Sequence, residues 1–312
     1  MTISKKLIQE IKKEISNILP EIICFRHDLH KEPELGRKEF KTQQKILQKL
    51  ACLKLDNWDT LLETDVIQEL NVDAEKTIGL RADIDAIPVK ENNPMLDYCS
   101  QNDNMHACGH DGHTAMLVGA AHVLNKLKHH LKKNVRFIFQ PGEELICAGK
   151  DLVKAGACKN LESVFATHCW PGIELGQISS KRGILFSCGA HFKFKVKGKS
   201  CHGAQPHNGI NPISAAGELI AELEKTHDDY IRETGDIISV CEINSGFCSN
   251  VIPDTALIGG TSRTKKTERI FKIRDVLDNI CKKLHKNGTA KFIVIITQVL
   301  QFVFLLNIMM QF

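Results

Sequence analysis

The 312-residue chain has room for about two domains of ordinary size, and its 43% apolar and 25% charged content is that of a water-soluble globular protein. A formal charge of +4, with lysines scattered and no interleaved aromatics, excludes a nucleic-acid-binding surface. Twelve cysteines occur without a C-x-x-C pair, so they read as reduced thiols in a cytoplasmic protein and not as a zinc ribbon.

From Met1 to Pro20, apolar residues at helical spacing (Ile3, Leu7, Ile11, Ile15, Leu19) alternate with Lys and Glu. This predicts an amphipathic helix and excludes a secretory signal, which needs an unbroken apolar run. Three buried-strand patterns follow, each ending in a polar cluster: Thr77–Leu80 before Arg81-Ala82-Asp83-Ile84-Asp85, Val135–Phe139 before Gln140-Pro141-Gly142-Glu143-Glu144, and Ser163–Thr167 before His168. A helical pattern runs from Thr114 to Leu127. Strands alternating with helices predict an α/β domain with a mostly parallel sheet flanked by helices. Ligands bind beyond the carboxyl ends of such strands, which is where the polar clusters fall.

Near residue 186 the texture changes. His191–Val196 alternates apolar and charged residues, as a strand with one solvated face does. A helix (Pro212–Thr226), two strands (Ile237–Ile243 and Asp254–Gly260) and a lysine-rich helix (Thr267–His285) follow. This βαββα order predicts a smaller α+β domain. Phe292–Phe312 carries no charge and no clean period. A membrane anchor is the lesser reading, because Gln298, Gln301, Asn307 and Gln311 punctuate the run. The expected organisation is therefore 1–185, 186–296 and an aberrant apolar tail at 297–312.

Met105–Thr114 places one cysteine and three histidines in a Gly-punctuated turn before a helix. Thiolate and imidazole are preferred donors for zinc and similar metals, and the glycines let Cys108 and His110 converge. The alternative is a loop whose histidines merely cap the helix. Glu143-Glu144 offers two carboxylates pointing in different directions, one suited to a metal and one to a proton. His168 is a further candidate ligand, with a packed or hydrogen-bonded histidine as its plain alternative. Asp83 and Asp85 read as ligands, as groups that orient the histidines, or as partners of Arg81.

Seven segments, in order, resemble the metallo-aminoacylase and carboxypeptidase family that includes hippurate hydrolases, auxin-conjugate hydrolases and N-acyl-amino-acid amidohydrolases. They are Arg26–Leu35, Leu80–Pro88, Cys108–Thr114, Phe139–Glu144, His168–Gly172, Lys197–Ala204 and Asn250–Asp254. The resemblance implies a zinc-peptidase-like catalytic domain with a ferredoxin-like lid or dimerisation domain. It implies two divalent metal ions (zinc, manganese or cobalt) on Cys108, His110, Glu144 and His168, with Glu143 as general base. It implies that His202 steadies the oxyanion and that Asn250 and Arg263 contact substrate. The expected reaction is hydrolysis of the amide bond of an N-acyl amino acid or small peptide by a metal-activated water, in a cytoplasmic homodimer without nucleic-acid or membrane partners. The competing expectation is an inactive truncated remnant that at most dimerises, because the family's last histidine ligand has no counterpart after His285.

Overall fold

The computed structural model describes residues 4–144, 146–287, 290–300 and 306–310. The chain divides into two compact units, one of Met1–Lys181 with Leu305–Phe312 and one of Arg182–Phe304. The first unit begins with α1 (Lys5–Lys31), α2 (Phe40–Leu50), β1 (Asp56–Asn57), β2 (Val66–Leu70) and β3 (Thr77–Asp83). It continues with α3 (His110–Lys126), β4 (Asn134–Gln140), α4 (Gly149–Lys154), β5 (Leu161–Cys169) and β6 (Ile178–Ser179). The second unit holds β7 (Cys188–Lys197), β8 (Cys201–His202), α5 (Pro212–Thr234), β9 (Ile237–Ser245), β10 (Val251–Ile252), β11 (Thr255–Thr264), α6 (Thr267–Asn287) and β12 (Lys291–Leu300). Finally β13 (Leu306–Met310) lies in the first unit.

The sheet of the first unit runs β1-β2-β4-β3-β5-β13-β6. Its centre, β4-β3-β5-β13, is parallel, while β1, β2 and β6 join antiparallel at the two edges. The sheet is therefore mixed rather than purely parallel. Strand β4 is buried along its whole length, as its run Val135–Phe139 requires of a central strand. Phe137 and Phe139 join Phe25 and Leu29 of α1, Ile46 and Leu50 of α2, and Val118 and Ala121 of α3 in one core. Ile67, Ile138 and Leu152 form a smaller cluster.

Three helices differ from the sequence reading, α5 by running on to Thr234 instead of ending at Thr226. Helix α1 passes through Pro20 and runs to Lys31. Pro20 removes one backbone donor, but Phe25 and Leu29 beyond it are buried in the core, and that packing carries the helix onward. Helix α3 begins at His110 and not at Thr114, so half of the expected turn is the first turn of a helix.

The second unit is a four-stranded antiparallel sheet, β12-β7-β11-β9, with the β8–β10 ribbon beside it. Phe192, Phe194 and Val196 of β7 point into a core with Leu219 and Leu223 of α5 and Ile273 and Leu277 of α6. Lys193, Lys195 and Lys197 alternate with them on the exposed side. The stretch 297–312, set apart by sequence as a tail, contributes the end of β12 to this unit and β13 to the other. The β-branched residues of β12 suit such pairing, and apolar composition alone does not distinguish a paired strand from a tail. Among the described residues no helix is long and apolar enough to cross a membrane.

Candidate metal centre

Strands β3, β4 and β5 end side by side, and their carboxyl ends deliver Asp83, the Glu143-Glu144 loop and His168 to one place. Helix α3 brings His110 and His113 to the same place from its N-terminus. Before it, Gly109 adopts φ +87°, a left-handed conformation that glycine takes without strain. This kink lets Cys108 and His110 face one centre.

Two donor groups result, each with atoms within 4.8 Å of one another: Cys108, His110 and Glu144; and Asp83, His110, His113 and His168. His110 is common to both. Its Nδ1 bonds the Asp85 backbone oxygen at 2.9 Å and Asp85 Oδ1 at 3.2 Å. Nδ1 therefore carries the hydrogen. Nε2, the nitrogen left to take a cation, is buried and makes no hydrogen bond among the described residues. Around it stand Glu144 Oε1 and Asp83 Oδ2, each at 3.6 Å. His168 directs Nε2 at Cys108 Sγ, 3.3 Å away, while its Nδ1 donates to the Cys169 carbonyl at 2.5 Å.

His113 is engaged at both nitrogens. Nδ1 donates to Asp83 Oδ1 at 2.6 Å, and Nε2 accepts the Cys169 backbone N–H at 2.9 Å. It thus ties the end of β3 to the end of β5, an arrangement that leaves no lone pair for a cation. Sequence reasoning had His113 among the metal-type residues without a role, and only the fold reveals this strut.

The carboxylates divide by environment. Burial favours the neutral form of Asp83, but Arg81, His110 and His113 outweigh it and hold the carboxyl well below its usual range. Burial likewise disfavours a charged His110, and Asp83 and Asp85 outweigh it to raise that imidazole well above its ordinary value. Glu143 goes the other way: burial, with Asp83 near, pushes it up to about 7. Burial also pushes the Cys108 thiol up. The loop carrying both glutamates is pinned at two points, by Gly142 N–H on the buried Glu39 (2.8 Å) and by Glu144 N–H on Asp85 Oδ2 (3.0 Å). Glu39 had no signal in the sequence.

Thiol, imidazole and carboxylate groups converge around a buried imidazole nitrogen that makes no hydrogen bond among the described residues, and this donor set fits a divalent cation of the zinc, manganese or cobalt kind. The other three sequence candidates lie in the second unit. His202 on β8 is exposed and pairs across the ribbon with Val251, next to Asn250. The Asn250 carbonyl accepts the Gly203 N–H at 2.7 Å. Arg263 on β11 is engaged within its own strand, donating to the Thr261 hydroxyl and the Ser262 carbonyl.

Residues 79–276 match the family described as Peptidase family M20/M25/M40. The chain belongs to this family. An N-acetylcysteine deacetylase of Bacillus subtilis is 37% identical over 250 residues, 79% of this chain and 66% of that protein. An N-acyl-L-amino acid amidohydrolase of Geobacillus stearothermophilus is 33% identical over 260 residues, 82% of this chain and 70% of its own length. Among solved structures, a Bacillus subtilis protein described as a dinuclear metal binding peptidase from M20 family superposes with a TM-score of 0.73 at 32% identity, over 91% of this chain and 74% of its own. The chain spans about two thirds of the length of such curated relatives.

Proposed function

We propose that the protein is a metal-dependent amidohydrolase that cleaves the amide bond of N-acyl amino acids or small peptides. The observation that carries this is the convergence of Cys108, His110 and Glu144 donor atoms within 4.8 Å, with the half-buried Glu143 next in sequence. The names of the Bacillus and Geobacillus relatives support the substrate class.

Cys108, His110, Glu144 and His168 would hold the two cations. When bound, such cations supply Lewis-acid polarisation of the scissile carbonyl and make water more acidic. The protein's own residues do the rest. Glu143 takes the proton of the attacking water and gives it to the leaving amine nitrogen, a task suited to a carboxyl that stands beside the cation ligands without being one. Asp85 fixes the His110 tautomer and the Glu144 backbone together. His202 is proposed to donate to the developing oxyanion, and Asn250 and Arg263 to contact the substrate. The second unit is proposed as the lid and dimerisation unit of a cytoplasmic homodimer.

The test is purification, metal analysis and assay on N-acetylcysteine and hippurate. Near two metals per chain, with turnover lost in Glu143→Gln and metal retained, is the expected result. Metal-loaded, folded protein that hydrolyses no N-acyl amino acid or small peptide would overturn the reading.

A further inference from the structure

The segment Arg26–Leu35 is one of the motifs that single this chain out by sequence, yet it supplies none of the proposed ligands. Two of its side chains, Arg26 and His30, lie instead against Asp111, next to the Cys108–His110 turn. Asp111, the residue after His110, is fully buried. Its Oδ2 receives two donors from α1: His30 Nδ1 at 2.8 Å and Arg26 Nε at 3.0 Å. Its Oδ1 is buried and makes no hydrogen bond among the described residues. His30 is in turn oriented by Glu91, whose Oε1 lies 3.2 Å from Nε2. Glu91 is itself held by the Ser100 N–H at 2.6 Å and the Asn93 amide at 3.1 Å.

We propose that His30 is a positioning residue for the metal centre: with Arg26 it holds Asp111, and through Asp111 the first helical turn that carries His110. The argument is mechanical. Gly109, between the two proposed ligands, has the freest backbone of any residue and no side chain to anchor. The direction of the Cys108–His110 pair is therefore set by what grips the helix just after it. On one side His113 and Thr114 grip the end of β3, Thr114 Oγ1 donating to the Asp83 carbonyl at 3.0 Å. On the other side the grip is Asp111 on α1. A buried carboxylate without donors is strongly unfavourable, so α3 starts only where His30 and Arg26 receive Asp111.

The inference rests on the reading of Cys108 and His110 as ligands, and the experiment separates the two. Co²⁺ alone is titrated into the metal-free full chain, following its affinity and the near-ultraviolet thiolate-to-cobalt absorption. Cys108→Ser should abolish that absorption; if it does not, the centre is misread and this inference falls with it. Two variants then probe His30. The amide nitrogen of His30→Asn falls near Nδ1 and keeps the Asp111 contact. That of His30→Gln falls near Nε2 and keeps only Glu91. We expect His30→Gln to weaken Co²⁺ binding by about tenfold and shift the band, while His30→Asn stays within about twofold of the parent. Both should lose thermal stability in the metal-free form. Equal effects of the two variants on Co²⁺, or none, would overturn the proposal. Should His30→Gln not fold, Arg26→Gln removes the second donor from a more exposed position and is expected to weaken Co²⁺ binding severalfold; unchanged binding there would count against it equally.

Discussion

His110 gives its Nδ1 hydrogen to Asp85, at 2.9 Å to the backbone oxygen and 3.2 Å to Oδ1, while the other carboxylate oxygen of Asp85 receives the Glu144 N–H at 3.0 Å. One carboxylate thus sets the tautomer of one proposed ligand and the backbone position of another. Removing it in Asp85→Ala frees the Glu144 N–H and leaves His110 held by the backbone oxygen of residue 85 alone. We expect metal affinity to fall by about tenfold to a hundredfold, as loss of a group that orients a metal-bound histidine commonly does. Asp85→Asn keeps an acceptor for one of the two and should lose less. Competition with a chromogenic chelator measures both, and an unchanged affinity in Asp85→Ala would show that the ligands need no such clamp.

Glu143 should set the acid limb of the rate. Without metal its carboxyl is pushed up to about 7 by burial and nearby Asp83. Cations held beside it favour the ionised form and draw the value down towards the ordinary 4.5. The base works only when deprotonated, so kcat/KM should fall as pH falls through an apparent pKa between these two values. Glu143→Gln should lower kcat by about a hundredfold or more with metal retained, and the small residual rate should lose that limb. A full pH–rate profile of both proteins checks the point.

Much of this site was legible in the sequence because its chemistry is local. Cys108 and His110 lie two residues apart, and Glu143 and Glu144 follow, after Gln140-Pro141-Gly142, a strand whose apolar run is unmistakable. What was not legible depends on contacts between distant segments. His113 acquires its role from Asp83 and Cys169, 30 and 56 residues away. Glu39 and Asp111 are buried carboxylates, and polarity in a sequence says nothing of burial until the elements are packed. The same holds for α1, which Pro20 would end if local preference decided, and which its packing on the core carries to Lys31.

The Glu91–His30–Asp111 chain should also govern stability. Burial pushes Glu91 up, but the Ser100 N–H, the Asn93 amide and His30 outweigh it, leaving the carboxyl at about 2 against an ordinary 4.5. A depressed carboxyl contributes stability above its unfolded value, and that contribution is lost as pH falls from about 4.5 towards 2. His30 is raised, chiefly by its bond to Asp111 and against burial. Its contribution is complete below the ordinary 6.5 and is lost as pH rises through the raised value. Both are fully present between about 4.5 and 6.5. Glu91→Gln should therefore cost about 3 kcal/mol in that window, seen as a lower Tm of the first unit, and the deficit should shrink on acidification. A pH-independent deficit would mean that shape, not charge, is what Glu91 supplies.

Gly109 gives a sharper test of the turn between Cys108 and His110. At φ +87°, any residue with a Cβ carries the strain of the left-handed conformation, about 1–2 kcal/mol. An added Cβ would also meet Cys169 Sγ at 3.0 Å, tighter than ordinary contact, and Cys169 is tethered through its backbone N–H to His113. Gly156 separates these effects, because it too has a positive φ, +107°, but nothing lies within 4 Å of its added Cβ. Gly156→Ala should therefore lower Tm through strain alone and leave metal binding as in the parent. Gly109→Ala should lose at least as much stability and, in addition, bind Co²⁺ about tenfold more weakly, because the push on Cys169 is passed to both His113 and His168. Calorimetry and Co²⁺ titration on the pair decide it. If the two variants lose stability and neither changes the titration, the turn is only a backbone requirement of the fold and does not set the positions of the flanking ligands.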